Sequence, residues 1–325
     1  MQLQAQSPTE KGGWLADLRS RIQIHGFAQG GFTYSKEEGD PTAIEKKTFE
    51  LKRVILLARA QITDKWSFLL MHEPVSGKWQ EYYTEYRFGK AFGVRLGQMK
   101  NLLTIENPII PTALELIALN SQATAYMAGV AGDAAYGAQI GRDLGVMVYG
   151  DLLKDHLRYE LGLFNGQGIN VKDGNNYKDF QGRLTIKASN ALSFATTWQI
   201  GKGHAIAQSQ YVRQITEGMD YTRNRWTIGG VADYRGIYLR SEFMIGKDGP
   251  ATSRGFYAVL RVRMGKRWDV IGSYDTMNYN TSTGCKKTNY IAGLQYWFYK
   301  DCRLQAQYTR GDDLHKLELQ TQISF

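Results

Sequence analysis

Alternation with a period of two residues runs through most of this chain and limits what it can fold into. At one end Leu317, Leu319, Thr321, Ile323 and Phe325 form a mostly apolar set, with Lys316, Glu318, Gln320, Gln322 and Ser324 as the polar set between them. Successive side chains of a β-strand point to opposite faces, so such a segment is a strand with a different solvent on each face. Cys302, Leu304, Ala306 and Tyr308 repeat the pattern against Arg303, Gln305, Gln307 and Thr309. Phe256, Ala258, Leu260 and Val262 do so against Tyr257, Arg261 and Arg263. Ile237, Leu239, Phe243 and Ile245 oppose Arg240 and Glu242, and Leu157, Tyr159, Leu161 and Leu163 oppose Arg158 and Glu160. Phe180, Leu184 and Ile186 oppose Asp179, Gln181, Arg183 and Lys187, and near the start Ile22, Ile24, Ala28, Phe32 and Tyr34 oppose Gln23, His25 and Gln29.

These runs last about ten residues, longer than an average soluble strand and matched to a tilted strand that crosses a bilayer. A soluble antiparallel sandwich also alternates, because one of its faces is buried. Here the polar face carries Arg, Lys, Asp and Glu together, while the opposite face is large and aromatic over roughly fourteen to sixteen segments. One sealed core cannot hide that many apolar faces. The 325 residues are 43% hydrophobic, 22% charged and 12% aromatic, which excludes a disordered polymer. The uncharged stretch at 116–132 contains Asn120, Ser121, Gln122 and Thr124, a poor spanning helix. A mean hydropathy of -0.40 suits strands of which half is polar. The expected fold is therefore all-β, a transmembrane antiparallel β-barrel over residues 21–325, with residues 1–20 as a periplasmic segment. Within 11–21 the sequence KGGWLADLRSR offers Trp14, Leu15 and Leu18 for a short helix or plug.

Connections are expected to differ at the two ends. Lys300 and Asp301 join two strands directly, whereas the stretches at 203–223, 246–253 and 276–286 read as long polar loops. The closing aromatic Phe325 is similar to the assembly signal of bacterial outer-membrane barrels. Met1 to Glu10 lacks the basic start and apolar run of a secretory leader, so an outer-membrane location expects that leader to have been removed.

A Lys or Arg facing lipid at the bilayer midplane costs roughly 2–4 kcal/mol, so strand charges are expected to face inward. Strand phase puts Arg158, Arg183, Lys187, Arg240, Arg261, Arg263, Arg303 and Lys316 in the lumen, accompanied by Glu160, Asp179, Glu242, Asp269 and Glu318. Arg240 and Glu242 sit two apart on one face and are expected to pair. In the second strand Phe49 and Leu51 hold one phase and Val54, Leu56, Ala58 and Ala60 the other, which calls for a bulge near Arg53. Arg53 is a candidate for the lumen, and Lys52 joins it only where the switch comes at or after Arg53. The 40 Lys+Arg exceed the 31 Asp+Glu by nine. Water of about 8 Å Debye length does not screen such a wall fully, so a modest anion preference is expected. The basic residues are spread one or two per strand with no aromatic platform, which argues against nucleic acid as a partner.

Five segments in order resemble the phosphate-selective porin O and P family: FELKRVILLARAQI from Phe49, RLGQMKNLLTIENP from Arg95, IGRDLGVMVYGD from Ile140, LRYELGLFNGQG from Leu157 and FQGRLTIKA from Phe180. The resemblance implies a sixteen-strand barrel, a homotrimer in outer-membrane lipid and lipopolysaccharide, and a third loop folded inward to narrow the pore. By position that constriction loop is 101–141, bounded by the cations Lys100 and Arg142 and carrying Glu106 and Glu115. Between its bounds there is no Lys or Arg, so it offers no converging cations for phosphate. Its 112–120 stretch is expected to form a short helix capped by Thr112. The implied function is passive diffusion of small anionic or polar solutes. The alternative is a docking or structural barrel whose lumen is narrowed or plugged.

No nucleophile elbow, metalloprotease motif, P-loop or dinucleotide fingerprint occurs, and the five histidines have no metal-ligand spacing, so no enzyme, cofactor or metal is expected. Asp173, Asn175, Tyr177 and Asp179 lack the Gly and Glu of a calcium loop and read as a polar turn. Cys285 and Cys302 fall at opposite ends of neighbouring strands, beyond the ~7 Å Cα limit of a disulfide. Both thiols should react with a thiol reagent in denaturant without prior reduction. A single reactive thiol, or none, would show the strand map to be wrong there.

Overall fold

The computed structural model describes residues 21–38, 45–137 and 139–325. The expected N-terminal helix or plug lies outside them. The first strands are β1 (Ile22–Glu37), β2 (Lys46–Gln61), β3 (Trp66–Glu73), β4 (Lys78–Arg87), β5 (Gly93–Lys100), β6 (Arg142–Leu152), β7 (Leu157–Phe164), β8 (Asp179–Lys187) and β9 (Leu192–Ile200). After the three-residue β10 (Lys202–His204) come β11 (Asp220–Tyr234), β12 (Ile237–Asp248), β13 (Ala251–Met264), β14 (Trp268–Asn280), β15 (Cys285–Tyr299), β16 (Cys302–Gly311) and β17 (Leu314–Ser324). The helix among the described residues is α1 (Gln122–Met127), between β5 and β6.

Each long strand pairs antiparallel with its neighbours, β9 pairs with β11, and β1 pairs with both β2 and β17. The result is a closed sixteen-stranded barrel, with β10 an added strip beside β11. The seam runs from Phe27 opposite Ser324 to Glu37 opposite Leu314. Gly31 is needed on that seam, because a Cβ there would stand 1.8 Å from the Leu319 carbonyl oxygen. Closure matters in hydrocarbon, where an open sheet edge would leave N–H and C=O groups without partners.

The alternating pattern sorts as physics requires. Leu294, Leu304, Leu317, Leu319 and Ile323 are exposed on the outer face, while Gln295, Gln305, Gln307, Glu318 and Gln320 are buried inside. Aromatic rings gather at the end carrying the short turns: Tyr86 meets Phe88 at 4.8 Å, Phe88 meets Phe92 at 5.3 Å, and Trp268 meets Tyr296 at 4.8 Å. Amphipathic rings of this kind suit a bilayer interface. The Arg235-Gly236 turn has φ of 50° and 85°, the left-handed pair that matches the twist of a two-residue hairpin.

Two of the expected long loops are short. β12 and β13 are joined by residues 249–250 alone, and β14 and β15 by 281–284. Lys247 pairs with Thr252 and Gly246 with Ser253, so polar residues there continue the ladder. A strand that rises past the apolar belt can be polar on both faces and still satisfy its backbone. The long connections at that end are 101–141, 165–178 and 201–219. Cys285 opens β15 and Cys302 opens the antiparallel β16, and both thiols are free.

Leu294 lies outward in mid-strand and its neighbour Gln295 inward. Leu294→Arg should lower unfolding stability in lipid by about 2–4 kcal/mol. Gln295→Lys should cost clearly less; equal costs, measured by urea unfolding in bilayers, would mean that the outer face does not meet hydrocarbon.

Candidate functional site in the barrel lumen

The segment 101–141 leaves the top of β5 and lies against inward-facing side chains of many strands. Gln181 accepts from the Leu102 N–H (2.9 Å), and Arg183 Nη2 donates to the Thr104 carbonyl (2.6 Å). Glu242 on β12 accepts from the Ile105 N–H at 2.9 Å. Further along, Arg303 Nη2 donates to Leu114 O (2.7 Å), Gln307 donates to Glu115 O (2.6 Å) and accepts from the Ile117 N–H (2.8 Å), and Gln322 donates to Thr112 O (3.4 Å). Arg303 and Gln322 stand near the short-turn ends of β16 and β17, so the segment reaches through most of the barrel depth. It returns to α1, where Gln122 donates to Asp275 (2.8 Å) and the Tyr126 hydroxyl to Asp248 (2.9 Å).

This bonding moves the helix. Residues 112–120 form turns, and α1 starts after Ser121, whose Oγ accepts from the Thr124 N–H at 3.2 Å. Ser121 is itself held by Glu106, which accepts from its N–H (2.8 Å) and hydroxyl (3.0 Å). Barrel side chains have taken the backbone groups of 114–117 that a helix would use for itself, so Thr112 caps nothing.

The strongest anchor is ionic. Arg240 is fully buried and donates to Glu106 (2.9 Å) and Glu115 (3.0 Å), both buried as well. Arg261 approaches Glu115 at 3.8 Å, which brings two arginines to two carboxylates. The expected Arg240–Glu242 pair does not form, because Glu242 accepts from Thr227 and Tyr257 hydroxyls and the Ile105 N–H. Charge at the loop, which strand phase alone cannot locate, outcompetes the in-strand neighbour.

The lumen also holds an apolar core. Inward residues Met244, Tyr257, Val259, Ile271, Met277 and Ile291 pack with Leu116, Ala123, Tyr126 and Met127 of the loop and with Val212 and Ile215 of the 201–219 connection. On β12–β15 much of the inner wall is thus apolar, beside the charges that strand phase places there. The apolar composition of 101–141 answers that inner wall. Burial, with Asp248 beside them, pushes the phenols of Tyr126 and Tyr136 well above the ordinary tyrosine range. Arg225 completes this corner, donating to Tyr136 OH (2.9 Å) and Asp248 (2.8 Å).

The twelve cations singled out in the sequence differ in burial. Lys100, half-buried, donates to the carbonyls of Asn107 and Ile109 (2.7 and 2.9 Å), and Arg142, which donates to Glu81 (3.1 Å), is buried in the lumen interior with Arg183, Arg240 and Arg303. A register shift between Gln29 and Gly30 leaves Lys52 as the extra residue of β2. Lys52 therefore reaches Glu318 while Arg53 donates to Gln29 at 2.8 Å, and both point inward. Arg158, Arg261, Arg263 and Lys316 keep part of their surface, and Lys187 is exposed at the end of β8.

Around the short-turn end the arginines stand above their partners. Arg59 and Arg87 are 45% and 58% exposed while Glu85, which both approach, is 5% exposed; Arg263 is 38% exposed and its Asp269 is not exposed. Three guanidinium groups, of Arg87, Arg95 and Arg158, lie 5.2–5.9 Å from the Tyr149 ring. Sequence reading passed over Arg59, Arg87, Arg95, Arg223 and Arg225, although the last two alternate with Trp226 and Ile228 in the usual way. It also passed over Asp143, which accepts from the Gly166 N–H (2.6 Å) and Gly168 N–H (3.3 Å) and so fastens the 165–178 connection to β6.

The architecture is matched among solved structures. The anion-selective porin from Comamonas acidovorans aligns with a TM-score of 0.69 at 12% identity, over 94% of this chain and 99% of that one. The fold is that of a porin. OmpT of Vibrio cholerae in its trimer form gives 0.64 at 11% identity, covering 94% and 100% of the two chains. The outer membrane channel DcaP of Acinetobacter baumannii gives 0.62 at 12%, covering 94% and 97%. No protein-family model matches the chain, and no curated sequence does.

Removing one member of a buried ionic cluster leaves uncompensated charge. Arg240→Ala should lower stability by about 3–5 kcal/mol and open 101–141 to limited proteolysis. An unchanged melting temperature and cleavage pattern would remove Arg240 as the anchor.

Proposed function

We propose that this protein is an outer-membrane porin that passes small hydrophilic solutes through a lumen narrowed by residues 101–141, with a preference for anions. The supporting observation is the unequal exposure within ion pairs at the short-turn end. Arg59, Arg87, Arg95, Arg158, Arg261 and Arg263 present guanidinium surface to water, and the carboxylates of Glu85, Glu115, Glu160 and Asp269 lie beneath them. Asp151, Asp155 and Asp233 are more exposed carboxylates paired in the same region, but they are outnumbered by these arginines and by Lys90, so the surface remains positive. A water-filled vestibule with such a wall concentrates anions.

The likeness to a porin named as anion-selective agrees with this reading. So does the resemblance to the phosphate-selective porin O and P family, although 101–141 brings no Lys or Arg to a phosphate. The short-turn end is then periplasmic, residues 1–20 are a periplasmic segment, and the protein works as a homotrimer in lipid and lipopolysaccharide. A second reading, a docking or structural barrel with a plugged lumen, is favoured by the apolar core that covers the inner wall of β12–β15.

Purified protein in planar bilayers should conduct in steps, and its reversal potential in a KCl gradient should carry the anion sign. Replacing Arg261 and Arg263 by Glu should shift that potential toward cations. A cation-selective wild type would overturn the anion preference, and trimers that do not conduct would favour the plugged barrel.

A further inference from the structure

The inner wall of β1–β3 is apolar like that of β12–β15, but the loop covers it less completely. Phe27, Ile55, Leu57 and Met71 line a cavity of about 250 Å³ that opens to solvent and is bounded on the loop side by Ile110. Ile110 is itself 55% exposed. Small-molecule sites commonly enclose about 300–1,000 Å³, with mostly apolar lining and a few fixed polar groups, so a cavity just below that range suits only a small ligand.

His25, Thr112, Asp301 and Ser324 also line the cavity, and the buried cation here is Arg142. Its Nη1 donates to the Ile140 carbonyl (3.0 Å) and its Nη2 to Glu81 (3.1 Å), and its buried Nε has no hydrogen-bond partner among the described residues. Buried Nε atoms of Arg183, Arg223, Arg225, Arg240 and Arg261 share that condition, but Arg142 is the one of these that lines this cavity. Asp301 and Phe325 stand at its short-turn side, away from the end of β6 that carries Arg142. A buried cation lining a small cavity with a mostly apolar wall suits a ligand that is an acid at one end and a hydrocarbon along its body.

We propose that this cavity binds a small amphipathic carboxylate, an aromatic or short-chain aliphatic acid. The apolar body lies against Phe27, Ile55, Met71 and Ile110, and the carboxylate accepts from Arg142. The inference deepens the channel reading and rests on it for the solute's route to the site.

Benzoate titrated calorimetrically into the full chain in detergent should bind once per protomer, with benzylamine and inorganic phosphate at least about tenfold weaker. Ile55→Trp, which fills the space, should abolish benzoate binding, and Arg142→Gln should weaken it by about tenfold or more. Benzylamine binding as tightly as benzoate, or undiminished binding in folded Ile55→Trp, overturns the proposal. Anion-selective conductance without benzoate binding removes the site and leaves the channel; benzoate binding without conductance supports the site and removes the channel.

Discussion

Water on the inside and hydrocarbon on the outside is the constraint from which the rest of this structure follows. In hydrocarbon each backbone N–H and C=O needs a partner within the protein, so the sheet closes, and β1 pairs with β17 along the seam. With the outer face of the apolar belt reserved for Leu, Ile, Phe and Tyr, strand charges within that belt are driven to the interior. The concentration of Arg, Asp, Glu and Gln there is a consequence of the bilayer before it is a device for transport.

Interior charge then needs partners, and the inserted segment supplies them. Arg240 could not remain buried and alone; the carboxylates of Glu106 and Glu115 offset its desolvation, and in doing so they fix where 101–141 lies. The same segment covers an inner wall of Met, Val, Ile and Tyr that would be costly against water. Ionic anchoring and apolar burial thus act on one stretch of chain. Where the segment packs less closely, at β1–β3, a small cavity remains between it and the apolar wall.

Pairing inside the barrel is also what gives the lumen its polarity. A count of lysines and arginines against acids says that positive charge is in excess; it does not say which sign meets the water. Glu85 below Arg59 and Arg87, and Asp269 below Arg263, show the arrangement that decides it. The long guanidinium side chain reaches past its shorter partner, and the surface charge follows from side-chain length as well as from number.

The strands, their inner and outer faces and a bulge near Arg53 were legible in the sequence, because period-two alternation is a local property; the side taken by Lys52 depended on where that bulge fell, which the pairing of β1 with β2 decided. The sequence by itself also determined that 101–141 would be a long segment without basic residues. It did not show the ends of β12 and β14, where polar residues continue a strand beyond the apolar belt. Nor did it show the helix at Gln122–Met127, the Arg240 cluster or the apolar core, since those depend on groups more than a hundred residues apart in the chain. Tertiary structure decided them, because a buried charge or backbone group is satisfied by whatever partner the closed barrel brings within reach, and sequence distance has no part in that choice.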